Sequence, residues 1–182
     1  MKTLYYYPSF PPYNTMPICS CGRKRMWCCQ QQSNYFMHQG NMQGKIVLKD
    51  YGKQPFVINI NEAAQQNQTF RTALWTGAHL QVTVMNIGVG EDIGLEVHPN
   101  TDQFLRIEKG QGLVQMGNAK NNLTFRRNVA DDDAVMVPAG TWHNITNTGN
   151  IPLQLYTIYA PPEHPFGTVH RTKAEAIAAE DH

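Results

Sequence analysis

From about residue 80 onward, apolar and polar residues alternate in short runs: HLQVTVMNI, IGLEVH, DQFLRIEKG, GLVQMG, NLTFRR, AVMVP, HNITN and LQLYTIYAP. Because successive side chains leave a strand on opposite faces, this period-two pattern predicts half-buried β-strands. Gly88, Gly90, Gly110, Gly112, Gly117, Asn121, Gly140 and Gly149 punctuate the runs as turn residues. Eight or so short strands so separated predict an all-β chain, an antiparallel barrel or jelly roll. Upstream, VLKDYGKQPFVINI also alternates and predicts a further strand. NEAAQQNQTFRTALW then changes to a helical pattern, with Asn61 as N-cap, Glu62 in the first turn and an apolar stripe of Ala63, Phe70, Ala73 and Leu74. That helix is expected to pack outside the barrel. After APPEHPFG ends the last strand, an alanine-rich helix starts near Thr172. The organisation expected is a tail over 1–44, a strand and helix over 45–78, the barrel over 79–162, and a loop with a C-terminal helix over 163–182.

The first 44 residues break the pattern. MKTLYYYPSFPPYNTMP is dense in Tyr and Pro, CSCGRKRMWCC holds all four cysteines of the chain, and QQQSNYFMHQG is polar. Without periodicity, and with prolines opposing a packed element, the segment reads as a disordered tail. Cys19, Cys21, Cys28 and Cys29 lack the paired C-x2-C knuckles of a common zinc site, and disulfides require an oxidising setting. Reduced thiols free to cross-link chains are the third reading, with Arg23, Lys24 and Arg25 placed to make one reactive. In composition the tail is similar to those of spore-coat proteins.

Two separate segments of the barrel carry metal-ligand chemistry. Within GEDIGLEVHPNTDQFLRIEKG, Glu96 and His98 are two apart and share a face; after a turn at Pro99 to Thr101, Gln103 shares a face with Leu105 and Ile107. Downstream, Pro138-Ala139-Gly140 makes a turn and His143 opens a strand on which Ile145 and Asn147 share its face. Each hairpin thus sets a polar tip at the end of an apolar stripe. Brought face to face, they would gather Glu96, His98, Gln103 and His143 around one point. Asp102, one residue earlier and charged, competes with Gln103; parity with Leu105 and Ile107 favours Gln103 pointing inward.

These segments resemble the two motifs of the cupin superfamily. The first, G-x5-H-x-H-x4-E-x6-G, keeps every spacing as Gly90, Glu96, His98, Gln103 and Gly110, with Glu96 in place of a histidine and Gln103 in place of the glutamate. The second, G-x5-P-x-G-x2-H-x3-N, is met by Pro138, Gly140, His143 and Asn147, with Asp132 where its first glycine would stand. The resemblance spans about Leu80 to Pro162. It implies a double-stranded β-helix, the cupin jelly-roll barrel, and a homodimer. Two His, one Glu and one Gln is also similar to the ligand inventory of mannose-6-phosphate isomerases, with Glu and Gln exchanged. Such a set suits zinc, iron, manganese or nickel. The competing reading is that the same groups line a metal-free pocket as hydrogen-bonding polar residues.

Glu163, His164 and His170 follow the barrel on a loop long enough to fold over its mouth. His164, Glu163 and Asp102 are therefore the candidates for acid–base work. Three functions fit: a metal-dependent isomerase of sugars or sugar phosphates, a non-haem metal dioxygenase using the 2-His-1-carboxylate set, and a non-enzymatic saccharide-binding or spore-coat-like structural protein. No Lys/Arg cluster accompanies the motifs, and Arg106 has the wrong parity to serve a phosphate. With net charge +1 and mixed signs across 182 residues, nucleic acid and anionic membranes are not expected partners. No apolar run approaches the ~20 residues of a membrane span, and Met1 to Pro12 lacks a signal-peptide core. A cytoplasmic protein acting on a small molecule is expected.

Overall fold

The structure, a computed structural model, describes residues 45–180; the cysteine-bearing tail and its three readings lie outside them. Among the described residues, nine strands form two antiparallel sheets. They are β1 (Arg71–Thr76), β2 (Gln81–Ile87), β3 (Asp102–Lys109), β4 (Gln111–Gly117), β5 (Phe125–Ala130), β6 (Ala134–Val137), β7 (Trp142–Asn147), β8 (Leu153–Ala160) and β9 (Val169–His170). Six are ordered β6-β3-β8-β2-β1-β9 and three β5-β4-β7. Two helices, α1 (Ile60–Gln66) and α2 (Lys173–Glu180), flank them. This is the all-β double-stranded β-helix expected, and among the described residues no helix is long and apolar enough to cross a membrane.

Alternation places the core where the sequence put it. Leu105 and Ile107 of β3, Val114 and Met116 of β4, Ile145 of β7, and Leu153 and Leu155 of β8 form one buried cluster with Met85 and Ile87. Gln103, His143 and Asn147 share those inward faces and are buried with them. Asn147 is satisfied there by donating to the carbonyls of Ile87 (3.0 Å) and Ile151 (2.9 Å) and accepting from Gly149 N (2.9 Å).

The motif glycines have a backbone reason. Gly110 has φ of +91°, and a Cβ there would lie 2.8 Å from the Pro152 carbonyl oxygen. Asp132, standing where the second motif has a glycine, is the described non-glycine residue with positive φ, at 72°. Asp is among the residues that tolerate this left-handed conformation, so the departure preserves the turn.

Three expectations upstream and at the barrel mouth are corrected. VLKDYGKQPFVINI forms no strand. Its alternation is real, since Leu48, Ile58 and Ile60, with Ile46 just before them, pack on the Ala63, Ala64, Leu74 and Val84 cluster while Val47 and Val57 are exposed. Its backbone is satisfied elsewhere: Ile46 N donates to Gln66 Oε1 (2.9 Å) and Tyr51 N to the Leu74 carbonyl (2.9 Å). The helix expected over Asn61 to Trp75 covers only Ile60–Gln66, and its N-cap is Asn59, whose side chain accepts from Glu62 N at 3.2 Å. It stops because Asn67 and Thr69 bond each other locally, Nδ2 to the Thr69 carbonyl at 2.7 Å and Thr69 Oγ1 to Asn67 Oδ1 at 2.8 Å, an alternative to helix that Asn and Thr favour. The chain then enters β1, paired with β2 and β9. IGLEVH, too, is no continuous strand; it touches β7 through single bridges, Asp92 with Thr146 and Glu96 with His143.

Candidate metal centre

The Glu96–His143 bridge builds the site. Glu96 N donates to the His143 carbonyl (3.1 Å) and His143 N to that of Glu96 (2.9 Å), which sets the two side chains across from each other. Gly140 N donates to the His98 carbonyl (2.8 Å) and fastens the second motif turn beside His98. Glu96 Oε1 consequently lies 3.3 Å from His143 Nε2 and 3.4 Å from His98 Nε2. These three atoms are buried without hydrogen-bond partners, and one ligand atom from each residue lies within 4.8 Å of the others.

Each imidazole has its second nitrogen against an oxygen. His143 Nδ1 faces the Thr141 carbonyl at 3.0 Å, and His98 Nδ1 faces Glu163 Oε1 at 3.1 Å. Donation from each Nδ1 to that oxygen is the arrangement in which Nε2 offers its lone pair to an ion. Two ligand atoms about 2.1 Å from one ion sit about 3.0 to 3.4 Å apart, which matches the separations seen. The donor set fits a divalent metal.

Charge around the carboxylate is concentrated. Burial opposes ionisation of Glu96, but the close His143 and His98 rings and the Arg71 guanidinium outweigh it and hold the carboxyl far below the usual carboxylate range. Arg71 Nη2 is 3.9 Å from Glu96 Oε2, and the arginine is 1% exposed. Burial disfavours the charged form of His98, and the Glu96 and Glu163 carboxylates prevail in raising its pKa.

The remaining sequence candidates separate. Gln103 is buried beside the site's strands, with Nε2 donating to Thr157 Oγ1 (3.2 Å) and Oε1 buried without a partner. Asp102 is exposed and accepts from Ala139 N (2.9 Å), so it caps the Pro138 turn on the outside of the barrel and is not a cavity acid or base. Glu163 and His164 do reach the site. With Glu96, Val97, His98, Pro165, Thr168, His170 and Ala179 they line a cavity of about 430 Å³, so the 163–171 loop and α2 cover the mouth. Burial, then Arg71, push the His164 pKa down to about 3, which keeps the ring neutral.

Three residues of the site escaped the sequence reading. Arg71 was assigned to a helix and sits on β1. Tyr159 falls within the run LQLYTIYAP; it is fully buried, packs edge-on against His98 (5.6 Å between centroids) and His164 (5.0 Å), and burial pushes its hydroxyl pKa up to about 12. Gln81 clamps the His164 backbone, accepting from its N–H and donating to its carbonyl, both at 2.9 Å. Gln81 shares its strand face with Met85 and Ile87, and a polar residue on that inward face is the signal the sequence offered.

Comparison with known proteins agrees with this fold. The Cupin domain family matches residues 83–159. The chain is 57% identical over 186 residues to the protein YrkC of Bacillus subtilis (strain 168), covering 98% of this chain and 100% of that protein. A protein of Acanthamoeba polyphaga mimivirus is 38% identical over 117 residues, which is 64% of this chain and 71% of the other. A crystal structure from Bacillus halodurans shares 64% identity, covers 71% of this chain and 98% of its own, and superimposes with a TM-score of 0.71.

Proposed function

We propose, from the premise that the chain belongs to the cupin superfamily, that it is a metal-dependent enzyme acting on a small oxygenated molecule. The observation that carries this is the convergence of three buried ligand atoms, Glu96 Oε1, His98 Nε2 and His143 Nε2, that face one another and make no hydrogen bond, while the other nitrogen of each imidazole faces an oxygen. Three such groups buried without a hydrogen bond are costly, and an ion held between them would offset that cost. Gln103 Oε1 is the fourth ligand in this reading. When bound, the ion polarises a substrate carbonyl or neighbouring hydroxyl.

Isomerisation of a hydroxy-carbonyl compound, a sugar or sugar phosphate, is the reaction favoured by the two-His, Glu and Gln inventory. It needs a group to move a proton between adjacent carbons. Of the three candidates, Asp102 lies outside the cavity, and His164, with a pKa near 3, is poorly matched to neutral pH. Glu163 remains: it lines the cavity, one oxygen is held on His98 Nδ1, and the other is available to take the proton. Glu96 is committed to the ion. A second reading, oxygenation, follows from the three His and Glu residues of the cluster taken without Gln103, a 2-His-1-carboxylate set suited to ferrous iron.

Metal analysis of protein purified without chelator tests the proposal. Stoichiometric metal in the wild type and its loss in Glu96→Ala and His143→Ala are expected. A wild type that carries no metal, and whose melting temperature ignores added Mn, Fe, Ni and Zn, would overturn both reactions. Aldose–ketose interconversion without oxygen uptake selects isomerisation; substrate-dependent oxygen consumption selects the second reading.

A further inference from the structure

A row of rings leads away from the ligand cluster. His143 and His98 have centroids 5.4 Å apart, His98 and Tyr159 5.6 Å, Tyr159 and His164 5.0 Å, and His164 and His170 6.4 Å. The row begins at metal ligands and ends at two histidines that contact no ligand atom of the cluster. Both of these line the cavity, and each has a buried ring nitrogen without a partner, Nε2 of His164 and Nδ1 of His170.

Their placement is enforced by structure. Gln81 grips the His164 backbone from both sides. His170 is held on β9, where it pairs with Arg71 on β1. Thr168, also lining the cavity, is fixed by its own hydroxyl donating to the Pro165 carbonyl (2.8 Å). Neither Glu96 nor Glu163 is available to this end of the cavity, because Glu96 faces His98, His143 and Arg71, and Glu163 is tied to His98. What is left is a pair of unpaired imidazoles beside a buried guanidinium.

We propose that His164 and His170 form the subsite for a carboxylate carried by the substrate, in the cavity that Glu96 and His98 also line. Rigidly held N–H donors close to a buried cation suit a carboxylate, which accepts on two oxygens. An uncharged polyol would satisfy the nitrogens but gain nothing from Arg71. The neutral state of both rings agrees with this surrounding, since burial and then the Arg71 charge lower each pKa. A cavity of about 430 Å³ accommodates a chain of several carbons reaching from the ligand cluster to the pair. This rests on the metal-enzyme reading and narrows its substrate to a small hydroxy or keto acid.

Calorimetric titration of the full chain with gluconate and with sorbitol, which share carbon chain length and differ by the carboxylate, tests it. Metal-loaded wild type is expected to bind gluconate at least 10-fold more tightly than sorbitol. His170→Phe and His164→Phe, which keep a ring in place, are each expected to remove most of that difference with bound metal unchanged. Thr168→Val serves as a third variant if either fails to fold, with a smaller loss expected. Equal affinity for the two probes, no binding of gluconate, or undiminished preference in the folded variants overturns the subsite. A gluconate preference in a protein that holds no metal keeps the subsite and defeats the enzyme proposal; bound metal without preference does the reverse.

Discussion

Glu163 contributes through His98 as well as through the cavity, because its Oε1 lies 3.1 Å from His98 Nδ1. Removing that charge relaxes the ring, and losing such an orienting partner typically costs about 10- to 100-fold in metal affinity. Glu163→Gln is therefore expected to bind metal roughly 10-fold more weakly by competition with a chromogenic chelator, and to lose turnover beyond what restored metal occupancy recovers. His164 gives a prediction in pH. Its folded pKa, about 3, lies below the ~6.5 of an exposed histidine. Between these values the unfolded chain binds a proton that the folded one refuses, so stability falls as pH drops through that window. Glu96, with a depressed folded pKa, adds a loss of its own only below the ordinary carboxylate range. His164→Leu is expected to flatten the denaturant-midpoint slope between about pH 6.5 and 4 relative to wild type. An unchanged slope would contradict the burial assigned to this ring.

At the scale of elements, the short helix α1 depends on a cap that the sequence misplaced. Asn59→Ala removes the side-chain acceptor for Glu62 N and is expected to cost about 1 kcal/mol, read as a lowered urea midpoint, while Asn61→Ala disturbs instead the bond from Asn61 Nδ2 to Glu108 Oε2 (2.5 Å). The strand rules succeeded for β3, β7 and β8 because one face of each is buried and the other is not. They failed at 47–60 because the same alternation is produced by a segment lying along α1 and the sheet without joining it. For β1 the helical stripe misled: Ala73 and Leu74 are both buried, one in each direction, since this strand is covered on both faces. Burial on two sides erases the period that distinguishes strand from helix.

For the whole molecule, the cavity is assembled from the Glu96–His98 segment, the 163–171 loop with His170 of β9, and Ala179 of α2. Lys173 Nζ bonds Asp92 Oδ1 (2.5 Å), which joins α2 to the segment that bears Glu96. If a metal ties these parts together, it stabilises the folded state alone, by about 2.7 kcal/mol at 100 times its dissociation constant. Addition of the cognate ion is expected to raise the melting temperature by several degrees and chelator to reverse it. A melting temperature insensitive to both would separate the barrel from metal chemistry.

By itself the sequence determined most of the alternating strands, their inward faces and the spacing of Glu96, His98, Gln103 and His143, because these are properties of neighbours along a chain with a fixed side-chain period. The sequence set Asp132 at a motif glycine's place, and the structure showed the positive φ it adopts there. Tertiary structure alone decided that Asp102 faces outward to cap a turn, that Glu163 orients His98, and that Arg71, Tyr159 and Gln81 complete the site. Those roles depend on which strands lie side by side in the sheet order β8-β2-β1-β9 and on where the loop after β8 returns. Pairing across dozens of residues leaves no period in any one segment to read.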